Sequence, residues 1–186
     1  FYLLQPKVDS KTLVILFSSS GKSMYVLKSL EYVNLYNGIS IGVTNHGDSP
    51  LGLESSIPLV TSATGVSKSF PTKTSTSGLA LMFALAAALG KEKNLNCIEC
   101  DKLNEELKAK TPQIIRRIYT EEYEKIKKNI QKFLEARCYT FVGSGPARTA
   151  SMIGAAKIIE TNRIHTMSVN AEEYLHLNGF AIKSAD

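Results

Sequence analysis

An α/β fold on an open, mostly parallel sheet is what this sequence predicts, and three observations predict it. Short apolar runs at residues 12–17, 39–43 and 57–60 each end in a polar stretch rich in turn residues. Helical spacing follows the first run and returns beyond the third. After a charged stretch, the same order of strand, turn and helix begins again at Tyr139. Alternating strands and helices build parallel sheets, because each crossover carries the chain back to the same end of the sheet.

Each element has a local cause. Residues 12–17 read Thr-Leu-Val-Ile-Leu-Phe, a continuous apolar run that predicts a strand buried on both faces. From Ser23 onward Val26, Leu27, Leu30 and Val33 repeat at three and four, which predicts a helix. Residues 39–43 form a second strand, and Thr44-Asn45-His46-Gly47-Asp48-Ser49-Pro50 is a loop of turn formers. A third strand spans 57–60. Residues 62–76 are polar and rich in Gly, Ser and Thr, and 78–89 form a helix apolar on nearly every side. That helix is expected to be buried, against a sheet or a partner subunit. Residues 91–136 predict charged helices, with Thr111-Pro112 marking a helix start. A strand at 139–142, a turn at 143–146 and a helix at 147–162 complete the pattern. Sheets of this kind bind ligands beyond the carboxyl ends of their strands, where residues 18–23 and 62–76 both fall.

Composition excludes several classes. With 44% apolar and 21% charged residues, the 186-residue chain is of ordinary globular type. Its longest apolar run, 79–89, is far below the roughly 20 residues of a membrane-spanning helix. Gln5, Pro6, Lys7 and Asp9 interrupt any secretory apolar core near the start. Net charge is +5, yet the ten Lys/Arg between 101 and 137 are interleaved with seven Asp/Glu, as expected of a solvated face with i,i+4 pairs. A nucleic-acid surface would need a concentrated basic stripe. Three cysteines, Cys97, Cys100 and Cys138, fit a reduced, cytoplasmic setting. Cys97-x-x-Cys100 follows a polar turn and has no second ligand pair, so two ordinary thiols are expected.

Gly21-Lys22-Ser23 suggests a nucleotide loop, but the first glycine of that pattern would have to stand at Leu16, inside the strand. A turn of four residues is too tight for a triphosphate. What is left is a serine-rich turn at a helix N-terminus, where hydroxyls, N–H groups and the helix dipole favour one phosphate. N-capping by serine is the simpler alternative. Gly143-x-Gly145 lacks the third small residue of a dinucleotide fingerprint, since Arg148 stands there. Lys157 and Glu160, three apart, share a helix face and read by themselves as a surface ion pair. Glu173-x-x-His176 has the spacing of half a metal site and no partners. His46 and His165 read as ordinary histidines.

Together these pieces resemble a known family. LFSSSGKS, Thr72-Lys73 and GSGPARTASMIGAAKIIETNRIHTMSVNAEEYLH look like the SIS (sugar isomerase) family, especially proteins with two SIS domains. The spacing from Gly143 through Lys157 and Glu160 to His176 is the specific part. The resemblance implies a three-layer αβα fold with a flavodoxin-like parallel sheet and tandem SIS domains. Residues 1–90 would be the first, 91–136 a helical connector and 137–186 the start of the second. The first domain's opening strand and helix and most of the second would lie outside this chain. The resemblance also implies aldose-ketose isomerisation of a hexose 6-phosphate or its amino derivative, possible amine transfer or release included. Glu160 would move the carbon proton with Lys157 assisting. His176 would open the ring, reaching a neighbouring subunit's sugar. Ser18, Ser19, Ser20 and Ser23 would hold the phosphate, with Thr72 and Lys73 in the second loop.

Departures from the family pattern are Val66 in place of an acidic residue, Phe70-Pro71 in place of a small pair, and Leu177-Asn178 after His176. The chemistry requires no metal and no nucleotide. A homodimer is expected from the apolar helix 78–89 and from family habit. The alternative function is a non-catalytic phosphosugar sensor.

Overall fold

The computed structural model describes residues 7–65 and 72–181, which divide into two compact units meeting between Thr111 and Pro112. In the first, strand β1 (Leu13–Phe17) leads into helix α1 (Met24–Leu35), β2 (Ile39–Thr44), the short α2 (Pro50–Glu54) and β3 (Ile57–Val60). The three strands are parallel in the order β1-β2-β3, with Leu13 opposite Ile39 and Ile41 opposite Ile57. Helix α3 (Lys73–Glu92) and then α4 (Cys97–Glu105) complete the unit's regular elements, except for one turn of π-helix, Glu106–Lys110.

The core lies on one face of the sheet. Leu16 packs with Leu30 of α1 and Leu51 of α2, and Val14, Val26 and Leu27 surround them. Leu30 and Leu51 are wholly buried, each contributing about 1.5–3 kcal/mol. The prediction of a first strand buried on both faces is corrected here: Leu13, Ile15 and Phe17 are 39–48% exposed. Alternate side chains point to opposite faces, and within this unit α1 and α2 cover only one of them. On the other face Phe17 meets α3, where a Cβ on Gly78 would stand 3.8 Å from its ring. Helix, sheet and helix thus form three layers. The burial expected of the apolar helix, against a sheet or a partner subunit, is met only in part within this chain. It is longer, beginning at Lys73, and within the described residues only Thr74, Gly78 and Ala87 of it are buried, with Leu79, Phe83 and Leu89 exposed.

The charged helices follow one another closely. After the π turn come α5 (Thr111–Arg117), a second π turn (Ile118–Glu122) and α6 (Tyr123–Leu134). Thr111-Pro112 opens α5 as predicted. Proline cannot donate to the preceding turn, and the Thr111 hydroxyl takes up the Glu106 carbonyl at 3.0 Å. The interleaved charges do pair, Lys110 with Glu106 at the expected separation of four, and Lys125 with Glu122 and Lys127 with Glu124 at three, all exposed. No described helix is long and apolar enough to cross a membrane.

In the second unit β4 (Tyr139–Gly143) and β5 (Thr166–Asn170) are parallel, Phe141 opposite Ser168. Helix α7 (Pro146–Asn162) crosses between them, and α8 (Ala171–His176) follows β5 directly. Gly154 allows α7 to lie on Phe141, since a Cβ there would come within 2.8 Å of the ring. Residues 163–176, unassigned from pattern, supply both β5 and α8.

Candidate functional site

The turn after β1 is pinned by its backbone. Ser18 N–H extends the ladder to the Val43 carbonyl at 3.0 Å, and Gly21 N–H closes on the Ser18 carbonyl at 2.9 Å. Asn45 N–H reaches the Ser19 carbonyl at 3.0 Å, and Leu51 N–H the Gly21 carbonyl at 3.1 Å. Gly21 is obligatory. Its φ is +64°, and a Cβ would lie 1.8 Å from Ser49 Oγ. Leu16, where a nucleotide loop would need glycine, is buried in the core.

Two of the four serine hydroxyls of the turn are bonded in turn to its backbone. Ser18 is buried and its Oγ accepts Ser23 N–H at 3.3 Å; Ser20 Oγ accepts Lys22 N–H at 3.2 Å. Ser19, Ser20 and Ser23 are exposed. Ser23 is the N-cap residue of α1 with extended backbone, yet its hydroxyl makes no cap bond. Simple capping therefore does not account for Ser23. A recess of about 170 Å³ beside the turn is lined by Ser20, Lys22, His46, Asp48 and Ser49. Hydroxyls, the start of a twelve-residue helix and Lys22 make this end of the sheet hospitable to an anion.

The loop after β3 is held by a residue that sequence reasoning missed. Asn45 Oδ1 accepts from the Thr61 hydroxyl at 3.0 Å and Ala63 N–H at 2.6 Å, and its Nδ2 donates to the Ala63 carbonyl at 3.0 Å. An asparagine just beyond a strand in a turn-forming stretch was the available signal. Thr72 is the N-cap of α3 without a side-chain cap bond, and Lys73 Nζ donates to the Thr64 carbonyl at 3.0 Å. Val66, Phe70 and Pro71 lie outside the described residues.

Lys157, Glu160 and His176 belong to the second unit. Lys157 Nζ and Glu160 Oε2 are 2.6 Å apart on α7, with side chains 23% and 37% exposed. The contact sets a carboxylate beside an amine, two groups that a proton transfer can use. His176 ends α8 and is exposed. Among the described residues no cluster of three His, Cys, Asp or Glu could hold a metal ion.

Two further side chains organise this unit. Arg148 donates to both the hydroxyl and the carbonyl of Ser168, and Ser151 shares a 2.8 Å bond with the same hydroxyl, tying α7 to β5. Asn170 Oδ1 caps α8 by accepting Glu172 N–H at 3.0 Å, and the Ser144 hydroxyl reaches it at 3.4 Å. Asn170-Ala171-Glu172-Glu173 has the residues of a capping box, a signal legible beforehand.

Parallel strands with helices on the faces and a serine turn beyond the first described strand make up the fold, and residues 4–89 match the SIS domain family. The chain is 30% identical over 170 residues to the isomerizing glutamine–fructose-6-phosphate aminotransferase of Neisseria meningitidis serogroup B, covering 90% of this chain and 28% of that protein. The C-terminal domain of glucosamine-fructose-6-phosphate aminotransferase from Francisella tularensis superposes with a TM-score of 0.77 at 26% identity, over 88% of this chain and 46% of that one. A proposed phosphosugar isomerase from Clostridium difficile 630 shares the fold, with a TM-score of 0.80 at 20% identity over 95% of this chain and 50% of its own. The chain spans less than a third of the curated relatives' length and about half of these solved chains.

Proposed function

We propose that this protein is a phosphosugar enzyme that interconverts aldose and ketose forms of a hexose 6-phosphate or its amino derivative. The observation that carries the reading is the turn at Ser18–Ser23, in a SIS-matching segment, whose backbone is held by hydrogen bonds and which presents the exposed serines Ser19, Ser20 and Ser23 at the C-terminal end of β1. Ser18, Ser19, Ser20 and Ser23 hold the phosphate, and Thr72 and Lys73 belong to the second binding loop. Moving a proton between C1 and C2 through an enediol takes a carboxylate base and a group that stabilises the developing oxyanion. Glu160 and Lys157 are those groups, and their 2.6 Å contact supports the pairing. His176 opens the ring on a neighbouring subunit's sugar.

The same reading makes residues 1–90 a first SIS domain, 91–136 a connector and 137–186 the start of a second, in a homodimeric, cytoplasmic protein. Amine transfer or release is an extension of the same enediol chemistry.

Glu160→Gln tests the reading. Interconversion of fructose 6-phosphate or glucosamine 6-phosphate should fall by at least about 10²-fold, while thermal stabilisation by the sugar phosphate persists. Ser20→Tyr should abolish that stabilisation. Stabilisation of the natural protein with neither sugar converted would turn the assignment to a sensor, and stabilisation by ATP alone would overturn the phosphate turn.

A further inference from the structure

Cys97 and Cys100 are the first and fourth residues of α4, both partly buried and both free thiols. Residues three apart share a helix face at about 5–6 Å between Cβ atoms, and a disulfide asks for roughly 1.5 Å less. Any such adjustment falls on the Cys97 side, whose N–H stands outside the helical ladder, since Cys100 N–H bonds the Asn96 carbonyl at 3.0 Å. Asn96 sits at φ +48° and makes no side-chain cap bond, after Asn94 at φ +52°.

The surroundings of the two sulfurs differ. Cys100 lies against Gly90, where a Cβ would come within 2.7 Å of its Sγ, and it donates its S–H to the Leu95 carbonyl at 3.6 Å. Cys97 stands at the helix start, closest to its positive end. Lys91 pairs with Asp101 at 2.6 Å, and its ammonium is held above the ordinary lysine range first by that hydrogen bond and also by the two sulfurs. Thr72 and Lys73 are at the other end of α3, a helix of twenty residues and so about 30 Å long. The thiols therefore stand apart from the second phosphosugar loop.

We propose that Cys97 and Cys100 form a redox-active dithiol that closes to a disulfide by exchange with a low-molecular-weight disulfide such as oxidised glutathione. This departs from the expectation of two ordinary thiols. The Cys97 thiolate attacks one sulfur of oxidised glutathione, the S–S bond breaks, and one glutathione leaves and takes up a proton. Cys100, after giving its proton to solvent, attacks Cys97 Sγ and expels the second glutathione, which is protonated in turn. Two electrons pass from the dithiol to the glutathione disulfide, giving one protein disulfide and two reduced glutathiones.

The full chain, equilibrated in glutathione buffers of rising oxidised fraction, quenched in acid, alkylated and digested with trypsin, tests this by mass. Cleavage after Lys93 and Lys102 places both cysteines in one peptide. That peptide should appear unalkylated and two hydrogens lighter over a range in which Cys138 remains alkylated. Cys100→Ser should trap glutathione on Cys97 readily, and Cys97→Ser should take it slowly on Cys100. Full alkylation of both cysteines at ratios that already modify Cys138, or disulfides joining either to Cys138, would overturn the proposal. So would faster capture by Cys100 than by Cys97.

Discussion

At the scale of single residues, Gly21 is the position with the least latitude. A methyl group would need the space of Ser49 Oγ and approach Thr44 Oγ1 to 2.9 Å, in a backbone conformation that L-residues avoid. Gly21→Ala should therefore destabilise by about 2 kcal/mol, measured by urea unfolding, and weaken sugar-phosphate binding with it. An unchanged unfolding midpoint would mean the turn is freer than its hydrogen bonds suggest. Asp9, before β1, offers a test by titration. Its carboxylate accepts from the Thr12 hydroxyl at 2.8 Å and Lys11 N–H at 3.0 Å, and these bonds hold its pKa below the ordinary value, the Thr12 hydroxyl most of all. The folded value is depressed, so its stabilising effect is present above about pH 4 and lost as pH falls through the folded value. Thr12→Val should raise the Asp9 midpoint toward that of a free aspartate in carbon-detected NMR. A midpoint that does not move would remove the hydroxyl as the cause.

At the scale of elements, capping decides what positions His176. α8 has six residues and owes its first turn to Asn170, whose side chain meets Glu172 N–H. Asn170→Ala should cost about 1 kcal/mol locally and raise hydrogen exchange at the Glu172 amide about fivefold. Equal exchange in the two proteins would show that β5 alone sets the helix. The elements also show where pattern reading works. The cores of β1, β2, β3 and β4 were legible because parallel strands are short apolar runs that end in turn residues. β5 was not, because Thr166-Met167-Ser168-Val169-Asn170 is only weakly apolar. Its place in the sheet depends on pairing with β4 and on the clamp from Arg148, neither of which is local.

At the scale of the whole molecule, apolar surface is the outstanding feature of the first unit. Leu79 and Phe83, one turn apart on α3, are 46% and 44% exposed. The proposed homodimer offers a use for such a face, since surface of this kind marks association. Light scattering should give the mass of two chains for the natural protein and of one for Leu79→Gln with Phe83→Gln. A natural protein that runs as one chain would end the proposal of a dimer through this helix.

The division between sequence and structure follows the range of the forces involved. Short-range order was written in the chain: the sheet type through alternation of apolar runs and helical spacing, the serine turn through Ser18-Ser19-Ser20-Gly21, and the Lys157–Glu160 contact through a separation of three on a helix. Only the folded chain decided which faces were covered, that Ser23 would not spend its hydroxyl on a cap, and that Asn45, Arg148 and Gly21 would be held by residues 16 to 30 positions away. Periodicity records how one segment presents its side chains. It carries no information about which distant segment comes to meet them, and that meeting fixes burial, hydrogen-bond partners and the space a glycine must leave open.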